Sequence, residues 1–428
     1  MPEHAHARAA EGPYRVLLTD DSGTVRRLVR RLLEREPDIR VVGEAEHGRS
    51  AVDLVRQAAA SGQPVEIVLL DVEMPVMDGI AALERLSTVR PPPQVIMLSA
   101  HTRRGAVVTV KALARGASDY VCKPAARSDR NLDAFRQELL DKIRSCGAAR
   151  RSRLEPAPSG EKEPRRTPPR PASREEAKAA PPAGSRRDPA AEALTRRPAP
   201  PAPPRPSTVP SRPQPAAVRS TATVAGRRPP SLGRSRVTAL AIGSSTGGPQ
   251  AVMRVLRDLG AQSVVPVFLT QHMPPAFTAA FAAQIAQELD LPCAEARQGE
   301  PVRAGRIYVA PGDFHLTVKG RPEDATIGLS KAPPEHFCRP AVDPMLRSLA
   351  SVYGSGLVAV ILTGMGSDGA EGCRTVVENG GQVIAQDRET SVVWGMPGAV
   401  VAAGLPATVL PLQRIGTRLR KLMDGVPA

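Results

Sequence analysis

Two blocks of this chain alternate short apolar runs with amphipathic segments, and so regular an alternation admits one kind of architecture. In the first block, about residues 13–146, Arg15–Thr19, Val41–Ala45, Glu66–Leu70, Gln94–Leu98 and Asp119–Val121 read as strands. Gly23–Glu36, Gly48–Ser61, Gly79–Val89, Gly105–Arg115 and Asn131–Cys146 read as helices, with apolar residues at helical spacing. In the second block, residues 236–424, strands read at Val237–Ile242, Val265–Thr270, Arg306–Ala310, Leu357–Thr363 and Gln382–Ala385. Helices read there at Gln250–Leu259, Ala276–Leu289, Pro344–Val352 and Gly369–Asn379. Apolar strands separated by helices form parallel sheets covered on both faces. The predicted fold class is α/β, with two doubly wound parallel-sheet domains.

Between the blocks, residues 147–235 are rich in Pro, Ala, Ser and Arg and lack sustained apolar periodicity. Such a segment cannot bury enough surface to offset its chain entropy and is expected to be a long disordered tether. It also explains the charge. From Ala148 to Arg236 there are 20 Lys+Arg against 7 Asp+Glu, a surplus of 13 out of a net +15. The basicity belongs to the tether and not to a nucleic-acid-binding face. Aromatic residues, 3% of the chain, are too few for base-stacking platforms. No apolar run reaches the length of a membrane span, and the first residues lack the apolar core of a signal peptide. Cys122, Cys146, Cys293, Cys338 and Cys373 are scattered and odd in number, which fits a reducing cytoplasm without disulfides or a zinc site.

Polar residues collect at the carboxyl ends of the first block's strands: Asp20 and Asp21, Asp71, Ser99 and Lys123. In an open α/β sheet those ends form the ligand crevice. Three carboxylates in one pocket repel one another unless a cation sits among them, and Mg²⁺ suits such hard oxygen donors. A metal-bound carboxylate such as Asp71 can attack a phosphoryl group, with Lys123 and Ser99 contacting its oxygens. The chain has no nucleotide-binding loop, so the phosphoryl donor must come from elsewhere.

In the second block, Gly243-Ser244-Ser245-Thr246-Gly247-Gly248-Pro249 joins a strand to a helix. Backbone N–H groups converge at such a turn and stabilise anions. Taken alone, the stretch suits either a nucleophilic Ser245 with its oxyanion or a phosphate-binding turn. A nucleophile needs a base. Of His272, His315 and His336, His272 follows the next strand, at the same topological position as Ser245. Asp368 follows another strand and supplies an orienting carboxylate. The order Ser, His, Asp and the absence of G-x-S-x-G exclude the usual α/β-hydrolase arrangement.

The first block resembles the response-regulator receiver family, through Leu18-Thr19-Asp20-Asp21-Ser22, Leu70-Asp71-Val72-Glu73-Met74-Pro75, Met77-Asp78-Gly79, Leu98-Ser99-Ala100 and Cys122-Lys123-Pro124. The resemblance implies Asp71 as phosphoacceptor. It implies Asp21, Asp71 and the backbone carbonyl of Glu73 as Mg²⁺ ligands, with Asp20 nearby. It also implies that Ser99 and Tyr120 relay phosphorylation to one face.

The second block is similar to the CheB-type chemotaxis protein-glutamate methylesterases. The matching motifs are Gly243 to Gly248, Gln271-His272-Met273-Pro274-Pro275, Ala310-Pro311-Gly312-Asp313, Arg339-Pro340-Ala341-Val342-Asp343, Leu362 to Gly369 and Gly395-Met396-Pro397. What the resemblance implies is hydrolysis of glutamate γ-methyl esters on chemoreceptor cytoplasmic helices, with glutamine deamidation in some members. It makes Ser245 the nucleophile, His272 the acid/base and Asp368 the orienting carboxylate. Thr246 and Met365 lie beside the site, with the Met365 backbone near the oxyanion. A chemotaxis histidine kinase would be the phosphoryl donor, and the esterase step would need no metal. The protein would be a cytoplasmic monomer whose receiver inhibits until phosphorylated.

Two departures from the family pattern stand out. The family has histidine immediately before the Arg-Pro, where this chain has Cys338; His336 lies two residues earlier. Cys338 is thereby a rival nucleophile, though no oxyanion-binding turn falls there. The tether is also longer than is usual. A reading of a different class is a receiver-controlled, non-catalytic adaptor that binds receptor helices. A receiver-controlled DNA-binding protein would need a C-terminal helix-turn-helix, which this strand-rich block does not offer.

Overall fold

The computed structural model describes residues 12–100, 102–124, 129–154, 236–260 and 265–424. The first domain runs β1 (Tyr14–Thr19), α1 (Gly23–Leu33), β2 (Ile39–Ala45), α2 (Gly48–Ala60), β3 (Ile67–Asp71), α3 (Gly79–Leu86), β4 (Gln94–Ser99), α4 (Arg103–Ala114), β5 (Asp119–Cys122) and α5 (Asp129–Leu154). Its five strands are all parallel in the order β2-β1-β3-β4-β5. The central strand β3 is buried along its whole length, as a strand covered by helices on both faces must be. Side chains start several helices: Ser22 accepts from the Val25 N–H, Asp78 from Ala81 and Thr102 from Gly105.

Helix α5 outruns its predicted end at Cys146 by eight residues. Residues 147–154, expected to open the linker, continue the helix because Ala148 to Leu154 contains no breaker before Pro156. Their arginines dock on the domain. Arg151 makes two hydrogen bonds to the Glu66 carboxylate, at 2.6 and 2.8 Å, and Arg150 donates to the Pro92 carbonyl at 2.9 Å. The rest of the predicted linker, 155–235, lies outside the described residues.

The second domain runs β6 (Ala239–Ser244), α6 (Gly248–Leu259), β7 (Val267–Gln271), α7 (Pro275–Leu289), β8 (Cys293–Glu295), β9 (Ile307–Val309), β10 (His315–Lys319), β11 (Thr326–Ser330), α8 (Val342–Tyr353), β12 (Leu357–Ile361), α9 (Ala370–Glu378), β13 (Gln382–Gln386), α10 (Met396–Ala402), β14 (Ala407–Leu410) and α11 (Leu412–Met423). Seven parallel strands form one sheet in the order β14-β13-β12-β6-β7-β9-β8, and β10 and β11 form a separate antiparallel hairpin. The chain leaves β6 toward β7 and later returns to β12 on the other side of β6. That reversal opens a crevice at the carboxyl ends of β6 and β12, where ligands bind in sheets of this kind.

Both domains belong to one compact unit. Helix α4 packs on α6 and α7, and one continuous apolar cluster includes Ala106, Val110 and Tyr120 of the first domain with Val252, Phe277 and Phe281 of the second. The Tyr120 and Phe277 rings stack with centroids 4.5 Å apart.

Candidate active site and phosphoacceptor pocket

Ser244 and Ser245 end strand β6 with opposite fates. Ser244 is fully buried, and its hydroxyl donates to Gln271 Oε1 at 2.7 Å. The Gln271 amide in turn donates to the Ser245 carbonyl at 2.9 Å, which fixes the turn. Ser245 is half-buried, and its hydroxyl makes no hydrogen bond among the described residues. Gly248 is required here, because a Cβ on it would lie 2.2 Å from Gln271 Oε1. Gly247 adopts φ 73°, the left-handed region that suits glycine, and opens α6.

His272 follows β7, and its backbone N–H donates to the Ser244 carbonyl at 3.2 Å. Its ring Nε2 lies 2.7 Å from Asp368 Oδ2. A carboxylate only accepts, so Nε2 carries a proton, and Nδ1 is left for another partner. Asp368 is 1% exposed and is not the cap of α9; it accepts from the Val342 and Asp343 N–H groups at 2.6 and 3.0 Å, at the start of α8. Burial works against its charge, but His272 and these two N–H groups prevail and hold its pKa below the usual carboxylate value. Burial likewise opposes a charge on His272. The hydrogen bond to Asp368 outweighs it, with Cys338 adding to the effect, and the imidazole pKa is pushed up to about 10.

The structure thus joins His272 to Asp368 but does not hydrogen-bond Ser245 to His272. Nδ1 instead faces Cys338 Sγ at 3.5 Å. His336 does not substitute for the family histidine. Its Nε2 is taken by Asp343 at 2.8 Å, while His315 is satisfied by the Pro333 carbonyl and the Ala341 N–H.

Thr246 and Met365 flank the turn, and both are engaged by the first domain. The Thr246 hydroxyl donates to the Asp119 carboxylate. The Gly247 N–H donates to the Ser118 carbonyl at 2.8 Å, and the Ser145 hydroxyl lies 3.0 Å from Met365 Sδ. Tight packing continues at Gly364, where a Cβ would lie 2.9 Å from that of Ser245. Asp119, Ser118 and Ser145 escape sequence reading, because their role depends on a contact between domains distant in sequence.

In the first domain Asp20, Asp21 and Asp71 each place a carboxylate oxygen within 4.8 Å of the others, at the reversal between β1 and β3. Lys123 Nζ bridges two of them, 2.7 Å from Asp20 Oδ2 and 2.8 Å from Asp71 Oδ1. Burial, aided by the Asp20 charge and opposed by Lys123, raises the Asp71 pKa to about 6. Glu73 points its side chain elsewhere, to Arg104 at 3.2 Å. Ser99 accepts from the Thr109 hydroxyl at 2.7 Å, and Tyr120 is buried at the contact with α7.

Comparison with known proteins agrees with both halves. Residues 16–132 match the response regulator receiver domain model, and residues 240–419 match the CheB methylesterase model. A protein-glutamate methylesterase/protein-glutamine glutaminase of Rhodospirillum centenum is 42% identical over 96% of this chain and 94% of that one. One of Azospirillum brasilense is 41% identical over 98% and 95%, and one of Paramagnetospirillum magneticum is 43% identical over 95% and 96%. With identity of this level along nearly the whole length of each relative, the chain belongs to the protein-glutamate methylesterase/protein-glutamine glutaminase family, a response regulator receiver preceding a CheB methylesterase domain.

Proposed function

We propose that this protein hydrolyses glutamate γ-methyl esters on the cytoplasmic helices of chemoreceptors, releasing methanol, and deamidates receptor glutamines by the same acyl transfer. The observation that carries this reading is the His272–Asp368 pair, 2.7 Å apart, at the same sheet edge as the uncommitted Ser245 hydroxyl. Asp368 holds the Nε2 proton, which leaves Nδ1 to serve as base once Ser245 replaces Cys338 as its partner. Ser245 loses its proton to Nδ1 and attacks the ester carbonyl. The backbone N–H groups of Thr246 and Met365 make no hydrogen bond among the described residues and are the oxyanion donors of this proposal. One such donor contributes about 3 kcal/mol to the transition state. Methanol leaves with the proton from His272, and water, deprotonated by the same nitrogen, releases the carboxylate.

The receiver controls this chemistry. Asp71 is the phosphoacceptor, and a chemotaxis histidine kinase is the donor. The close set of hard carboxylate oxygens from Asp20, Asp21 and Asp71 fits Mg²⁺, which Asp21, Asp71 and the Glu73 carbonyl would hold. When bound, it supplies positive charge against the phosphoryl oxygens. Lys123 would then leave its two carboxylates for a phosphoryl oxygen, and Ser99 would follow. Tyr120, stacked on Phe277, carries that change to the domain contact. A closed resting state is supported by the bonds that the turn after Ser245 donates to the Ser118 carbonyl and the Asp119 carboxylate, and phosphorylation is proposed to open it. The protein is taken to act in the cytoplasm as a monomer; no described helix is long and apolar enough to cross a membrane.

The test measures methanol release from methylated receptor membranes by wild type and Ser245→Ala, with and without phosphodonor. Binding to receptors without Ser245-dependent methanol release would favour the adaptor reading.

A further inference from the structure

Three side chains from separate parts of the catalytic domain stand in line: Asp368 after β12, His272 after β7 and Cys338 ahead of α8. The carboxylate holds Nε2 at 2.7 Å, and the thiol faces Nδ1 at 3.5 Å. With Nε2 held by the carboxylate, Nδ1 is the nitrogen that faces the sulfur, and a thiol set against an imidazole is the pairing that favours a nucleophilic thiolate. We infer that Cys338 is a site of covalent modification by soft electrophiles and hydroperoxides, and that its modification takes His272 away from hydrolysis.

The surroundings favour this site over the other cysteines. Cys338 exchanges backbone hydrogen bonds with Glu335 at 2.8 and 3.1 Å, closing a tight turn with His336 and the fully exposed Phe337 at its tip. Glu335 is tied to Arg347 at 2.6 Å and His336 to Asp343, so the turn holds the sulfur against His272. Among the described residues, these contacts set Asp368, Asp343, His336, Glu335 and Arg347 around the pair, with Arg339 adjoining in sequence. Cys338 is half-buried, within reach of a small reagent. Cys122 and Cys293 are as accessible, yet burial pushes each thiol up to about 12. Cys146 and Cys373 are buried, and their thiols are pushed up as well. Among the described residues, none of these four hydrogen-bonds an imidazole.

The chemistry balances. The Cys338 thiolate attacks one oxygen of a hydroperoxide; an S–O bond forms and the O–O bond breaks. Sulfur is oxidised by two electrons to a sulfenic acid. The peroxide is reduced to an alcohol, whose leaving oxygen takes its proton from the His272 imidazolium. A thiosulfonate instead leaves a mixed disulfide and a sulfinate. Either adduct adds bulk beside Nδ1 and ends the proton sharing. The effect on hydrolysis rests on the proposed role of His272 as base; the reactivity of the thiol does not.

The experiment uses the full-length chain and maps labelling by peptide mass. With trace iodoacetamide at about pH 6.5, Cys338 should react about tenfold faster than Cys122 or Cys293, an advantage that His272→Ala should abolish. In wild type, moving from about pH 8 to about pH 6.5 should slow Cys338 less than about fivefold, where an ordinary thiol slows roughly 20-fold. Methyl methanethiosulfonate should then lower methanol release in step with Cys338 occupancy, and dithiothreitol should restore it. The methanol release of Cys338→Ala should be insensitive to the reagent. Labelling of Cys338 at the pace and pH dependence of Cys122 overturns the reactive thiol. Selective labelling with unchanged methanol release overturns the link to hydrolysis. A Ser245→Ala chain that still releases methanol would instead sink the esterase assignment, and the labelling result would stand apart from it.

Discussion

Thr246, the residue after Ser245, donates its hydroxyl to the carboxylate of Asp119, the first residue of receiver strand β5. The same carboxylate pairs with Lys142 of α5 at 3.2 Å, and the next residue, Tyr120, stacks on Phe277 of α7. One short receiver strand therefore joins the nucleophile turn to the face proposed to answer Asp71 chemistry. These contacts join the apolar packing of α4 on α6 and α7 in holding the two domains together.

Asp119→Ala should raise methanol release from the unphosphorylated chain. A buried hydrogen bond to a charged group is worth about 1.5–3 kcal/mol, which corresponds to tenfold or more in a docking equilibrium. The comparison includes the phosphorylated chain and a fragment beginning near Arg234, both of which should exceed unphosphorylated wild type. Equal rates for all four would show that the receiver does not gate the site, and targeting would become its role.

Ser245→Ala should reduce hydrolysis to near background with its thermal unfolding unchanged. Ser244→Ala should behave in the opposite way. It removes a buried hydrogen bond to Gln271, costs about 1 kcal/mol of stability and leaves the Ser245 hydroxyl in place. An inactive Ser244 variant beside an active Ser245 variant would reverse the assignment.

The contrast between these serines marks what sequence reading reaches. Strand–helix alternation placed Ser245, His272 and Asp368 at one sheet edge, because period and chain direction alone decide which strand ends face the crevice. It could not show that Asp368 binds the start of α8, that Nδ1 faces Cys338, or that His336 pairs with Asp343. Those are side-chain choices among neighbours brought together by folding. The missed elements have local causes. β8 has three residues, the β10–β11 hairpin lies outside the main sheet, and β14 is an edge strand with Val409 exposed. Helix α11 is also missing from the sequence reading, although Leu412, Ile415, Leu419 and Leu422 follow helical spacing.

Asp71→Asn should stabilise the metal-free receiver at neutral pH. The folded Asp71 pKa is raised from 3.8 to about 6, so the folded state binds this proton more tightly than the unfolded chain. The resulting penalty is absent below about pH 4, complete above about pH 6 and worth about 3 kcal/mol. Thermal melts should therefore separate the two proteins at pH 7 and converge as pH falls. Mg²⁺ should raise the wild-type midpoint and leave the variant nearly unmoved. The same variant should block labelling by a phosphodonor. A melt in which the variant is less stable at pH 7 would remove the acid-pocket argument.

The pH profile of hydrolysis should report the His272–Cys338 pair. His272 is held charged up to about pH 10, above its ordinary 6.5, with Asp368 and Cys338 as the groups that outweigh burial. A raised histidine pKa gives stability that is present in full below about pH 6.5 and lost as pH rises through about 10. For catalysis the sign is reversed, because a base must be neutral to accept a proton. The kcat/KM of wild type should therefore climb into the alkaline range, after subtraction of the Ser245→Ala background. Removing Cys338 removes one partner of the charged ring. In Cys338→Ala the rising limb should move toward acid by about one pH unit, the scale of one hydrogen bond to a charged group. On the proposed pairing, the limb belongs to the pair and not to His272 alone. Superimposable profiles for the two proteins would mean that Cys338 does not share the His272 proton in the working enzyme.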